Sequence, residues 1–191
     1  IEADFGARGK WTIVQETTYP MDGRIRIRLN PPGTVDGTVH VRIPAWSQQT
    51  ALAVNGAPVT GIEPGRYCAL RRGWKPGDTI ELTLDMRPRA LRGDQHVKFN
   101  TSLFHGPLLL AFDQKHNVIE PADVPALDLQ TLELVPATCD ARFQPIVLFK
   151  ARAVDGRDLY LTDYATAGAH GTYYRSWLPV NHAPMAPFLL N

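Results

Sequence analysis

Nineteen Asp and Glu residues, six histidines and two cysteines are the groups in this chain with a capacity for acid–base, nucleophilic or metal chemistry. Hydrolysis of a glycosidic bond needs two carboxylates about 5–10 Å apart across the scissile bond, and no pair stands out from its neighbours. Glu16 and Asp22 flank the Tyr19-Pro20 turn and could meet across it, but their positions read as a solvated strand residue and a turn cap. Asp78 follows Pro76-Gly77 directly before a strand, where a carboxylate ties down turn backbone. The histidines, at 40, 96, 105, 116, 170 and 182, form no i,i+4 pair and no H-E-x-x-H pattern, so no metal site is assigned. His105 and His116 lie near Gly106-Pro107 and Asn117 in a loop-bearing stretch; surface or hydrogen-bonded core roles are the expected ones. Ser47, Ser102 and Ser176 lie in no G-x-S-x-G elbow, and neither G-x-G-x-x-G nor a phosphate-binding loop is present. No catalytic residue is assigned.

Cys68 and Cys139 belong to no C-x-x-C cluster, so they are either buried thiols or one long-range disulfide. The strand-like run around Cys68 favours two free thiols. Aromatic side chains carry the one binding signal, because sugar rings lay their C–H faces on exposed Trp or Tyr. Trp46, Trp74, Tyr173, Tyr174, Arg175 and Trp177 are the candidates for carbohydrate contact or domain docking, whereas Trp11 alternates within a strand and is assigned to the core.

The elements that must position these residues are strands. Segments 11–17, 24–29, 38–43, 67–71 and 79–84 alternate polar and apolar residues with period two. In Arg24-Ile25-Arg26-Ile27-Arg28-Leu29 the apolar residues share one face and the arginines the other, a pattern that a helix would scatter. Asp22-Gly23, Asn30-Pro31-Pro32-Gly33, Asp36-Gly37, Asn55-Gly56, Glu63-Pro64-Gly65 and Lys75-Pro76-Gly77-Asp78 punctuate them with turn chemistry, roughly every 8–12 residues as in a sandwich. In the second half, 107–112 and 145–149 read as strands, the former buried on both faces. Residues 116–137 carry three prolines and read as a long connection with one strand at 131–135. The tail from Asn181 reads as an extended packed segment or a disordered one. The expected fold class is all-β, an antiparallel, jelly-roll-like β-sandwich with little helix, divided into residues 1–100 and a second β-rich region, 101–191, that completes or packs on the first.

Composition sets the outer bounds. With 44% hydrophobic and 20% charged residues the chain is of globular type. A formal net charge of +1 gives no long-range field for nucleic acid or an anionic membrane. The longest uncharged apolar run, about 106–112, falls far short of the roughly 20 residues of a membrane-spanning helix. The opening Ile1-Glu2-Ala3-Asp4 has no signal-peptide character and reads as the start of a piece cut from a longer bacterial protein, so the compartment is left open.

Four stretches, Gln15-Glu16-Thr17-Thr18-Tyr19-Pro20-Met21-Asp22-Gly23, Arg42-Ile43-Pro44-Ala45-Trp46, Val54-Asn55-Gly56 and Gly73-Trp74-Lys75-Pro76-Gly77-Asp78, are followed by Gly106-Pro107-Leu108 and Tyr174-Arg175-Ser176-Trp177-Leu178-Pro179. In this order they resemble the region after the catalytic barrel in glycoside hydrolase family 127, typified by bacterial β-L-arabinofuranosidases. The resemblance implies an (α/α) catalytic barrel on the same polypeptide as partner and a non-catalytic accessory role for this chain. The alternatives are a carbohydrate-binding module that contacts a plant-type glycan through exposed aromatics and a sandwich with only protein partners. The resemblance also implies a cysteine nucleophile, an acid/base glutamate and a zinc–thiolate cluster, all upstream of the matching stretches. None of these transfers to a residue here, and no cofactor is expected in this chain, since two cysteines cannot build a multi-thiolate zinc cluster.

Overall fold

The computed structural model describes residues 1–93, 100–140, 144–181 and 188–189, as two compact units, Ile1–Met86 and Arg87–Asn191. His96, His182 and most of the tail beyond Asn181 lie outside the described residues.

The first unit contains β1 (Glu2–Asp4), β2 (Lys10–Thr17), β3 (Arg24–Asn30), β4 (Val35–Arg42), β5 (Ala51–Val54), β6 (Ala57–Pro58), β7 (Tyr67–Trp74) and β8 (Asp78–Thr83). They form an antiparallel sheet in the order β1-β2-β3-β8-β5-β6 and a two-stranded ribbon β4-β7. Period-two patterning dictates the packing. Ile25, Ile27 and Leu29 of β3 face inward beside Leu82 and Ile80 of β8, and the ribbon contributes Val41, Leu70 and Trp74 to the same core. On the opposite face of β3, Arg28 meets Glu16 at 3.2 Å and Arg26 meets Glu81 at 3.8 Å across neighbouring strands. These pairs are half exposed, and each contributes about 0.2–1 kcal/mol. Asn55 and Gly56 both adopt positive φ, 52° and 76°, the geometry an Asn-Gly hairpin turn between β5 and β6 requires.

The second unit contains β9 (Pro88–Arg92), β10 (Asn100–His105), β11 (Leu108–Asp113), β12 (Leu127–Asp128), β13 (Val135–Pro136), β14 (Leu148–Arg152), β15 (Asp158–Asp163), β16 (Tyr174–Arg175), β17 (Leu178–Asn181) and β18 (Phe188–Leu189). Their order is β12-β17-β10-β11-β15-β14-β13, with β16 beside β11 and β9 between β10 and β18. All pairs are antiparallel except β12 with β17. Leu103, Leu110, Phe112, Leu127, Leu159, Leu161 and Leu178 fill its core. Helical structure among the described residues is confined to short 3-10 turns at Gly6–Arg8, Gln114–His116 and Pro121–Asp123. No helix among them is long and apolar enough to cross a membrane. The chain is all-β, as expected.

Two expected strands are corrected: of 145–149 only the last two residues are strand, since β14 begins at Leu148. Residues 131–134 are turn and loop, and only Val135–Pro136 pairs, with Phe149 and Lys150 of β14. The Asp128 carboxylate accepts the Gln130 N–H at 2.9 Å and holds a turn there. Leu132 is buried from within the loop and Leu134 packs on the same core, so the apolar spacing reflects loop packing rather than a pleat. Cys68 and Cys139 are both free thiols, as favoured.

Candidate functional site

The two units place the aromatic candidates in different settings. Trp74 is wholly buried, with the Arg72 guanidinium 5.3 Å from its ring centroid. Its place in β7 puts it on the inward face with Leu70. As a sugar platform it is therefore corrected: it has no accessible face. Trp46 is half-buried and packs on the same core.

Turn chemistry explains the acidic candidates of this unit. Asp78 accepts the Lys75 N–H and the Asn55 side-chain amide, both at 2.8 Å, while Asn55 Oδ1 accepts the Thr79 N–H at 2.7 Å. Burial alone would raise the Asp78 carboxyl, but these donors and the nearby Arg72 and Lys75 outweigh it and hold it below the usual range. Asp22 accepts the Arg24 N–H at 2.9 Å and the Thr18 hydroxyl at 2.7 Å, which hold its carboxyl low. It is a turn cap, and Glu16 pairs with Arg28. An open groove of about 540 Å³ passes Glu16 and Asp22, lined also by Arg26 and Glu81.

The remaining candidates sit on one loop of the second unit, and two buried carboxylates build it. β11 and β15 pair side by side and end in Asp113 and Asp163. Asp163 accepts the N–H groups of Ile146 (2.7 Å), Val147 (3.3 Å) and Thr166 (3.0 Å) and the Thr166 hydroxyl (2.9 Å). Asp113 accepts the N–H groups of Lys115 and Gly168, each at 2.8 Å, and the Thr172 hydroxyl at 2.6 Å. Both are almost wholly buried. With their oxygens engaged by backbone and hydroxyl donors, they act as loop anchors rather than as an acid/base pair.

That scaffold presents tyrosines. Tyr173 is 49% exposed and Tyr174 42%, and Tyr164, which the sequence reading passed over, is 46% exposed. The Tyr164 and Tyr174 rings meet edge to face at 5.8 Å. Arg175 and Trp177 are half-buried. Arg175 Nε donates to the Trp177 carbonyl at 2.9 Å and closes the turn into β17. His116 and His170 lie in the same neighbourhood. Burial pushes the His116 imidazole below its usual value, Asp113 pulls it back, and His170 and Lys115 add to the lowering. His105 instead packs its ring on Phe149 at 4.7 Å. Among the described residues no group of three His, Cys, Asp or Glu side chains could hold a metal.

Gly168 is the hinge of this arrangement. Its φ is +76°, and a Cβ there would stand 2.5 and 2.7 Å from carbons of the Tyr174 ring. Gly168→Ala is expected to destabilise the chain by about 1–3 kcal/mol and to change the tyrosine near-UV circular dichroism. Gly156→Ala, at φ +86° with open space around it, should cost only the backbone strain of about 1–2 kcal/mol and leave that signal intact.

Fold and site together define a β-sandwich module whose described residues lack any helical barrel. Residues 2–86 match the β-L-arabinofuranosidase GH127 middle domain family. Among solved structures, a glycoside hydrolase superposes with a TM-score of 0.83 at 26% identity, over 95% of this chain and 34% of that one. A GH127 β-arabinofuranosidase gives 0.78 at 22% identity, over 94% and 33%. A GH127 β-L-arabinofuranosidase from Geobacillus stearothermophilus T6 gives 0.79 at 20%, over 95% and 32%. The chain thus spans about a third of each structure it matches. No curated protein matches it. Residues 2–86 are thus of the GH127 middle domain type, and the chain as a whole is similar to about a third of a solved glycoside hydrolase.

Proposed function

We propose that this chain is a non-catalytic accessory β-sandwich that supports the catalytic barrel of a β-L-arabinofuranosidase-like hydrolase on the same polypeptide. The observation that carries the reading is the use of Asp113 and Asp163: the two buried carboxylates at the strand ends of the most elaborate loop are spent on backbone and hydroxyl donors. The family of residues 2–86, a middle domain by description, agrees with it. The isolated chain is expected to release no more nitrophenol from an aryl β-L-arabinofuranoside than a heat-denatured control does. The full-length hydrolase should lose thermal stability when residues 1–191 are deleted. Measurable turnover by the chain alone would refute the proposal.

A second reading, a carbohydrate-binding module, draws on the exposure of Tyr164, Tyr173 and Tyr174. Tyr173→Ala separates the two. A sandwich that docks on its barrel should lose stability in the full-length enzyme with this change, whereas a glycan-binding loop should lose polysaccharide retention with stability unchanged.

A further inference from the structure

The outer face of the β4–β7 ribbon holds the most exposed aromatic side chain of the first unit. The register pairs Thr38 with Arg71, His40 with Ala69 and Arg42 with Tyr67. Alternation sends all six outward while Val41, Cys68 and Leu70 face the core. Tyr67 is 64% exposed, and yet its ring is held. The Arg42 guanidinium lies 5.5 Å from the ring centroid and donates through Nη1 to the Gly65 carbonyl at 2.7 Å. The His40 ring meets Tyr67 edge-on at 6.5 Å. A large apolar area is thus kept in water at a fixed orientation, with little side-chain freedom left to lose on binding.

Two further features specify what would cover it. Ala69 stands between Tyr67 and Arg71 and leaves the floor flat, and the backbone positions that carry the ring and the second guanidinium lie about 13 Å apart along the strand. That span suits a short oligomer rather than one sugar. Arg71 enters none of the ion pairs among the described residues. The face carries two arginines against a single carboxylate, Asp36. Guanidinium groups match carboxylates in a planar, bidentate fashion.

We propose that this face binds an acidic saccharide, a hexuronate oligomer with one ring stacked on Tyr67 and its carboxylates on Arg42 and Arg71. The proposal goes beyond the accessory role and stands or falls separately from it, since its readout is binding rather than hydrolysis.

The test is calorimetric titration of the whole chain with a short oligogalacturonide and with its methyl ester, which keeps the sugar rings and removes the charge. The acid form should bind, and the ester should bind roughly tenfold more weakly. Tyr67→Ala should weaken the acid form by roughly tenfold or more. Arg71→Gln should narrow the difference between acid and ester and reduce the salt dependence. Both side chains are exposed, so the thermal midpoints should stay where they are. Absence of binding, equal affinity for the ester, or wild-type affinity in both variants would each overturn the proposal. So would loss of binding in Tyr173→Ala with retention in Tyr67→Ala, which would move the site to the second unit.

Discussion

Replacing Trp74 with alanine should cost the first unit about 3–5 kcal/mol, because a large ring with no solvent exposure leaves a cavity that the surrounding strands cannot close. Small domains have only about 5–15 kcal/mol of stability in total, so the variant should unfold at a markedly lower urea concentration. Trp74→Phe should cost much less. The indole N–H of Trp74 is buried without a hydrogen-bond acceptor among the described residues, and burying such a donor costs about 1–3 kcal/mol. Phenylalanine sheds that group and keeps much of the ring. Urea denaturation followed by tryptophan fluorescence compares the two. Equal losses for both variants would mean that the site needs the full indole volume and that shedding the N–H brings no gain.

The second large effect is expected at Asp113. Asp113→Ala removes three hydrogen-bonded contacts in a buried setting and strands the N–H groups of Lys115 and Gly168, a loss of about 2–4 kcal/mol. Asp113→Asn should also destabilise, since its amide N–H₂ would face donors on one side. In either variant limited proteolysis should cut within residues 164–173 faster than in the parent chain.

The pH dependence follows from the same cluster. Burial alone would raise the Asp113 carboxyl, but the Thr172 hydroxyl, the Gly168 and Lys115 N–H groups and the nearby His116 hold it below the usual carboxylate range. A carboxylate depressed on folding stabilises fully above its unfolded pKa of about 3.9, and that stability is lost as the pH falls through the lower folded value. His116 is also depressed, chiefly by burial. Below about pH 6.5 the unfolded chain binds a proton that folded His116 resists, so stability declines there first. Thermal midpoints measured from pH 8 to pH 3 should therefore fall in two stages. His116→Gln should remove most of the first, and Asp113→Asn part of the second, which the depressed carboxyls of Asp22 and Asp78 share.

Strand identity in the first unit was legible because water lies on one side of each layer. Arg24-Ile25-Arg26-Ile27-Arg28-Leu29 admits one pleated placement, and β3 spans Arg24–Asn30. Asn55-Gly56 likewise declared its hairpin through the positive φ both residues adopt. The same alternation put Tyr67 on the face opposite Leu70, but neither its exposure nor its collar of Arg42 and His40 could be read from it. Residues 131–135 failed as a strand because apolar spacing does not distinguish a pleat from a loop whose leucines reach a core. Short strands such as Ala51–Val54 and Tyr174–Arg175 carry too few residues for a period to show.

Sequence alone determined the all-β class, the turns, the free state favoured for the thiols and the family resemblance, because each rests on local patterning or on ordered motifs. Tertiary structure decided which aromatics meet water. Trp74 and Tyr67 begin from the same strand, β7, and differ only in the face they take, one sealed in the core that also holds Leu29 and Ile80 and the other open beside Arg42. It also decided what the acids do. Asp113 and Asp163 look like any other carboxylates in sequence, and only the long-range return of Gly168, Thr172 and Ile146 to their oxygens makes them anchors of the tyrosine loop. Contacts between residues so distant in the chain are fixed by strand order, which no local pattern encodes.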